Sequence, residues 1–109
     1  MYDSENNQWS SIEKEIAQEL FKRAYDREIS ALIQDVREKA SAITELDDLW
    51  SLHDFLSARR HEIDGKYDYD YSSLLFIFAE LVRDGWLRLD ELENLNREKF
   101  AKVAALTKI

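Results

Sequence analysis

A long apolar stripe with a period of three and four residues dominates the first half of the chain. It opens with capping-box spacing, since Ser10 lies three positions before Glu13, and we expect a helix to begin at Ser10. No Pro or Gly interrupts the stripe, whose apolar members are Ile12, Ile16, Leu20, Ala24, Ile29, Leu32, Ile33, Val36, Ala40 and Ile43. The pattern predicts a helix of roughly 30 residues, about 45–50 Å long.

This helix is too long for the globule that the chain can form. A compact domain of 109 residues has a radius of gyration of about 13 Å, hence a diameter of roughly 34 Å. Two short partner helices cannot cover the stripe, so we expect it to meet a second copy, most simply in a two-fold dimer. The residues predicted at that interface are Ile29, Ile33 and Val36, together with Leu49 of the next helix.

A second helical pattern, DDLWSLHDFLSARRHEIDGK, covers residues 47–66. Its acidic start suits a helix N-terminus, Thr44 is a candidate cap, and Gly65 suits the left-handed residue that ends a helix. We therefore expect a helix over about Glu45 to Asp64. The short connection at residues 41–44 allows it to follow the first helix after only a kink.

The second helix has two chemically different sides. At about 100° per residue, one side carries the apolar residues Leu49, Leu52, Phe55, Leu56 and Ile63. The other side, here called the polar arc, spans roughly 120° and carries Trp50, His53, Asp54, Ser57, Arg60 and His61. Indole, imidazole and guanidinium groups fill pockets or hold defined pairings, so the arc is a candidate binding face. The alternative is a solvated face with one exposed Trp and ordinary charges.

A linker and a third helix follow. Tyr and Asp alternate over residues 66–70, and we interpret this as a turn rather than a strand because no partner strand is predicted. The run LLFIFAELV at residues 74–82 is apolar nearly all round. We expect Asp70 or Ser72 to cap this third helix and Asp84-Gly85 to close it.

A fourth helix is expected to start where Asp90 and Glu93 give a second capping pattern. Its predicted inner face consists of Leu92, Leu95, Phe100, Val103 and Leu106. The whole chain is therefore predicted to be a single all-α domain of four helices, residues 1–109.

Composition excludes several classes of function. The net charge is −8, from 23 acidic and 15 basic residues, which disfavours nucleic acid and anionic membrane surfaces because both need clustered Lys and Arg. The chain has no Cys, so it offers no disulfide framework, no thiolate nucleophile and no thiolate metal ligand. No apolar run approaches the roughly 18 residues that a membrane span requires.

Candidate chemistry on the polar arc is weak. Asp54, Ser57 and His61 have the residue types of a nucleophilic triad, but in mid-helix the backbone N–H groups are already bonded and cannot form an oxyanion hole. His53 and His61 are separated by roughly 12 Å of helix, whereas zinc needs nitrogens at about 2.1 Å, so one chain cannot bind zinc with both unless a second copy supplies the other ligand. We expect no enzyme, no metal and no cofactor. A plain helical oligomerisation module, or a carrier of a carotenoid or lipid between helices, stays an alternative.

The segment LDDLWSLHDFLSARRHEIDGKYD closely resembles the signature of the cyanobacterial fluorescence recovery protein family. A weaker resemblance extends over nearly the whole chain and includes FKRAYDREI and LDEL. It implies an all-α fold whose long helices form a dimeric stem, about residues 10–64, and whose last two helices form a head, about residues 70–107.

The resemblance also implies a function. Members are regulators, not enzymes, that bind the photoactivated orange carotenoid protein, chiefly through its C-terminal domain. They accelerate its red-to-orange reversion and its detachment from the phycobilisome, which restores antenna fluorescence. This implies a cytoplasmic protein at the thylakoid face near phycobilisomes, as a homodimer with a tetramer left open.

Six positions match residues that matter in that family. Four lie on the polar arc, and two lie in the predicted head; they are Trp50, His53, Asp54, Arg60, Phe76 and Lys102. The resemblance leaves open which arc residues hold the dimer and which touch the partner.

Overall fold

The computed structural model describes residues 9–109 and forms four α-helices and one 3₁₀ helix within them, without a strand. The elements are α1 (Ser11–Ser41), α2 (Leu46–Lys66), α3 (Leu74–Arg83), a 3₁₀ helix (Leu89–Leu92) and α4 (Arg97–Leu106). The predicted all-α class and the long first helix of 31 residues are confirmed. The molecule measures 59 × 28 × 26 Å and is elongated along α1.

The start of α1 agrees with the predicted cap. Ser10 Oγ accepts a hydrogen bond from the Glu13 N–H at 3.1 Å, as expected. The Glu13 carboxylate also accepts from the backbone N–H of Asn96 at 2.9 Å and pairs with Lys99 Nζ at 3.0 Å. The first turn of α1 is therefore tied to the first turn of α4.

The chain reverses direction between α1 and α2, so the expectation of a mere kink is wrong. Arg59 Nη2 lies 3.0 Å from Glu28 Oε2, whereas 31 residues of continuous helix would separate them by about 46 Å. Lys39 Nζ lies 4.7 Å from the centre of the Phe55 ring, again across the two helices. The two long helices form an antiparallel pair.

Both ends of α2 differ in detail from the prediction. At the start, Thr44 is not the cap; the Asp48 carboxylate accepts hydrogen bonds from the N–H groups of Thr44 and Glu45, each at 3.1 Å. At the end, Gly65 does not terminate the helix, which runs on to Lys66. Lys66 is held in the helix because its ammonium reaches the buried Glu28 carboxylate at 2.9 Å. A left-handed glycine does close α3, where Gly85 has φ of 87°.

The N-terminal ends of α3 and α4 also differ from expectation. Asp70 does not cap α3 but accepts hydrogen bonds from the N–H and hydroxyl of Ser72, which forms a turn before the helix. The Asp90 region forms only the short 3₁₀ helix, and α4 starts at Arg97, where the Asn96 side chain accepts from the Lys99 N–H at 2.9 Å. The Glu91 carboxylate in this segment accepts a hydrogen bond from the Arg88 N–H at 2.8 Å and also reaches α1, as described below.

Burial divides the described chain into two regions. The packed region, residues 9–28 and 63–109, contains the core, whose fully buried large side chains include Leu74, Phe78, Leu81, Leu87, Leu92 and Val103. The helical hairpin, residues 29–62, consists of the second half of α1 and most of α2. Throughout the hairpin, which the structure describes without a gap, no side chain is buried.

Candidate functional site

The polar arc lies on the side of α2 that points away from α1. The side chains of α2 that are half-buried or buried along the α1 contact are Leu52, Phe55, Arg59, Ile63 and Lys66. Arg59 follows Trp50 by nine residues, which places it about 180° around the helix from Trp50. The arc is thus centred opposite the intramolecular contact and open to another molecule.

The first three residues of the arc form a loose group at the hairpin surface. Trp50 is 55% exposed, and its ring stands edge-on to the His53 ring with centroids 6.2 Å apart. His53 Nδ1 lies 3.4 Å from Asp54 Oδ1, and both side chains are largely exposed. These contacts are long, so the groups keep most of their hydrogen-bonding and stacking capacity for a partner.

Arg60 lies further along the same side. Its side chain is almost fully exposed, and Nε is 3.7 Å from Asp64 Oδ2 one turn later. An exposed pair at this distance contributes little. Within the described residues Arg60 forms no ion pair with Asp54, so the guanidinium fork is not committed to a planar intramolecular partner.

Arg59 has a different role from its neighbour. Its guanidinium pairs with the buried Glu28 carboxylate and with Glu62 Oε1 at 3.3 Å. Burial opposes the charge of Arg59, but the hydrogen bonds from its guanidinium to Glu28 and Glu62 raise its pKa above the ordinary value. The charge of Arg59 is therefore neutralised inside the molecule rather than offered to a partner.

Glu28 is a buried charge that the sequence pattern did not identify. It is 1% exposed and accepts from Arg59 Nη2 at 3.0 Å, Lys66 Nζ at 3.0 Å and Tyr67 Oη at 2.8 Å. Burial alone would raise the pKa of Glu28, but hydrogen bonds from Lys66, Tyr67 and Arg59 hold it below the ordinary value. One signal was available: Glu28 follows Leu20 and Ala24 at four-residue spacing, so an acid stands on the apolar stripe.

Glu91 forms a second tie to α1. Arg27 binds it with two parallel hydrogen bonds, at 2.8 and 2.9 Å, and Arg23 adds a third at 3.1 Å. Hydrogen bonding from Arg27 lowers the pKa of Glu91 to about 2. This clamp holds the 3₁₀ helix against α1.

Phe76 and Lys102 lie together on the packed region. Packing of α3 on α4 places Lys102 Nζ 5.7 Å from the centre of the Phe76 ring, and Phe76 is 54% exposed. A neighbouring depression of about 390 Å³ is lined by Phe76, Ile77, Leu106 and Ile109, among others. The two residues therefore form a second surface patch, here called the Phe76–Lys102 patch, separate from the polar arc.

The residues predicted at a dimer interface are exposed or half-exposed on the hairpin. Ile33 and Leu49 are 48% and 46% exposed, and Ile29 and Val36 are half-buried. Two more leucines of α2 that the interface prediction did not include, Leu46 and Leu56, are also exposed. The hairpin thus presents apolar surface that no part of the described chain covers.

Neither a metal centre nor a membrane span is visible in the part of the chain that the structure describes. Within residues 9–109, no group of three or more potential metal ligands comes together. Over the same residues, no helix is both long and apolar enough to cross a bilayer.

Comparison with known proteins identifies close relatives. A family model described as photoprotection regulator fluorescence recovery protein matches residues 9–107. The fluorescence recovery protein of Synechocystis sp. is 48% identical over 101 residues, which cover 93% of each chain. The solved structure of the Fremyella diplosiphon fluorescence recovery protein has a TM-score of 0.90 at 58% identity, covering 93% of this chain and 99% of its own. That of the Synechocystis protein has the same TM-score and the same coverage at 48% identity.

Proposed function

Since the chain belongs to the fluorescence recovery protein family, we propose that it binds the photoactivated orange carotenoid protein and accelerates its return from the red to the orange form. Binding is chiefly to the C-terminal domain of that partner, and it promotes release from the phycobilisome, so that antenna fluorescence recovers. The protein acts at the cytoplasmic face of the thylakoid. The family is one of photoprotection regulators and not of known enzymes.

The observation that carries this proposal is the exposed polar arc on a hairpin without a buried side chain. Trp50, His53 and Asp54 face outward with long internal contacts, and Arg60 extends the same face. Aromatic and Arg side chains are the residues that most often carry binding energy in protein interfaces. The exposed indole of Trp50 among these polar groups supports a protein partner.

The Phe76–Lys102 patch is the second contact that we propose. A half-exposed aromatic ring with a cation beside it offers apolar area and positive charge in one place. The charge stands out on a chain whose net charge is −8. This patch therefore suits an acidic and apolar area on the partner, while the polar arc supplies hydrogen-bonding groups.

The hairpin also supports a homodimer. Ile29, Ile33 and Val36 on α1 and Leu49 on α2 present apolar side chains that the described chain leaves uncovered. A two-fold dimer covers the same patch on both copies in one step. The arc and the apolar residues share one hairpin, so the dimer and the partner complex are neighbours on this surface.

The acceleration needs no chemistry on the carotenoid. The photoactivated partner has separated domains, and a binder that prefers a conformation close to the compact state lowers the barrier to closure. A tenfold faster return requires a preference of only about 1.4 kcal/mol. One anchor such as Trp50 in a pocket supplies energy of that size.

The test is the rate of red-to-orange reversion in the dark, followed by absorbance, with and without this protein. We expect faster reversion with the wild type and about tenfold less acceleration with Trp50→Ala. The matched control is Ile12→Ala, which removes another exposed apolar side chain at the far end of α1. A wild-type protein without effect on the rate would contradict the proposal and favour the plain oligomerisation module. Colour in the purified protein would favour a pigment carrier.

A further inference from the structure

One buried carboxylate joins the two regions that carry the proposed partner contacts. Along α2, the side chains that attach to the packed region lie near the C-terminal end of the helix: Arg59, Ile63 and Lys66. Two of these three end on Glu28. α1 runs unbroken from the packed region into the hairpin, but no side chain among residues 29–62, which the structure describes in full, is buried. The angle at which α2 lies against α1 therefore depends strongly on this attachment.

The contacts of Glu28 are directional rather than merely apolar. The three donors come from α2 at Arg59, from its last residue Lys66, and from the linker at Tyr67. Lys66 also lies 3.7 Å from Asp84, at the end of α3. Apolar surfaces can slide past one another, whereas charge-assisted hydrogen bonds favour one narrow geometry. Glu28 therefore connects α1, α2, the linker and, through Lys66, α3.

A small rotation at this joint becomes a large displacement at the polar arc. Trp50 precedes Lys66 by 16 residues, which is roughly 24 Å along the helix. A rotation of about 10° at Glu28 would move Trp50 by roughly 4 Å at that length. A partner that contacts two patches gains from the second contact only when the geometry permits both at once.

We propose that Glu28 is a positioning residue that sets the angle of α2 against α1, and with it the separation between the polar arc and the Phe76–Lys102 patch, for a partner that engages both. The identity of the partner rests on the proposed function, whereas the geometry of the joint does not. Glu28 itself is buried and touches no partner.

The joint is tested by measuring a distance inside the chain. Because the chain has no Cys, Ser51→Cys and Arg83→Cys place one spin label on the exposed surface of each region. Pulsed electron paramagnetic resonance, with the labelled protein diluted in excess unlabelled protein, then reports the distance between α2 and the end of α3. We expect one narrow distance for the wild type and a distribution broadened or shifted by roughly 4 Å for Glu28→Gln. The matched control is Glu38→Gln, the same change at an exposed carboxylate of α1.

The consequence for binding is tested with the same variants. We expect the concentration that gives half-maximal acceleration of reversion to rise about tenfold for Glu28→Gln and to stay unchanged for Glu38→Gln. Helical circular dichroism should be equal in all three proteins. Tyr67→Phe removes one donor and keeps the ring, so it should give a smaller change of the same kind and keeps the test decisive if Glu28→Gln fails to fold.

Three outcomes separate the parts of this proposal. An unchanged label distance in a folded Glu28→Gln or Tyr67→Phe protein would overturn the claim that Glu28 positions α2. A changed distance with wild-type half-maximal concentration overturns its role in binding. If the wild type does not accelerate reversion at all, the proposed function fails, while the label distances still decide whether Glu28 sets the angle.

Discussion

The hairpin and the packed region share one helix, α1, yet that helix is used differently in each. Its first half contributes Ala17, Leu20 and Ala24 to a core closed by α3 and α4. Its second half packs only against α2, and the apolar side chain of Ile33 stays about half exposed. A region with four packed elements can exclude water by itself, whereas two antiparallel helices leave one apolar side of each helix open.

The two regions also differ in how their charged side chains are paired. In the packed region, Glu13, Glu28 and Glu91 each accept from donors of another element and tie α1 to the rest of the chain. On the hairpin, the pairs of Asp54 and Arg60 are exposed and local. The packed region therefore closes a core within the described chain, whereas the hairpin leaves apolar surface that the described chain does not cover.

The sharpest test of this comparison is the same substitution in both regions. Leu81 is fully buried, and Leu56 is partly exposed. Leu81→Ala should lower the free energy of unfolding by about 2–5 kcal/mol, whereas Leu56→Ala should lower it by less than about 1 kcal/mol. Urea denaturation at low protein concentration measures both. Equal losses would mean that the hairpin has a core of its own.

A charge on the hairpin should separate the copies. Burying an unpaired carboxylate at an interface costs several kcal/mol, so Ile33→Glu should yield monomers at micromolar concentration by size exclusion with light scattering. Ile12→Glu introduces the same charge at an exposed residue of the packed region and should leave the assembly unchanged. If the Ile33 variant still elutes as a dimer, the stripe does not form the interface.

A charge on the Phe76–Lys102 patch should affect the partner but not the fold. Phe76 is half exposed, so Phe76→Asp should reduce the acceleration of reversion by about fivefold or more. Helicity and oligomer size should not change, because the ring contributes little to the core. Loss of helical circular dichroism in this variant would instead identify Phe76 as a core residue.

The next prediction asks whether the polar arc acts through geometry or through charge. Arg60→Lys keeps the charge but loses the planar fork, and we expect it to lose most of the activity. Arg59 does not substitute for it, because Glu28 neutralises that guanidinium. Reversion rates at low and high salt provide the check. A fully active Arg60→Lys protein together with a wild type that is strongly slowed by salt would favour simple electrostatic steering.

The prediction with the smallest effect at neutral pH concerns how the stability of the packed region changes as the pH falls. The pKa of Glu91 is lowered from 4.5 to about 2, chiefly by hydrogen bonding from Arg27. A lowered folded pKa contributes stability that is present above about pH 4.5 and is lost as the pH falls towards 2. Glu91→Gln should therefore flatten the fall in stability over this range in acid denaturation, and the exposed Glu93→Gln should not. An equally steep fall in Glu91→Gln would show that other carboxylates dominate.

The local parts of the fold were predictable from particular residues. Ser10 does cap α1, and the uninterrupted stripe does form one long helix. The helical projection separated Trp50, His53 and Asp54 from the side of α2 that faces α1, and the structure leaves all three exposed. The family resemblance, and not the projection, singled out Phe76 and Lys102; their proximity to each other appears only in the structure.

The helices and their two-sided character follow from local sequence, because helix periodicity and capping act within about four residues of the chain. The reversal between α1 and α2 and the long-range pairing of buried carboxylates became visible in the tertiary structure. Glu28 pairs with Arg59 and Lys66, and Glu91 pairs with Arg27, each far along the chain. A buried charge must find a partner, but nothing in the local pattern says which one.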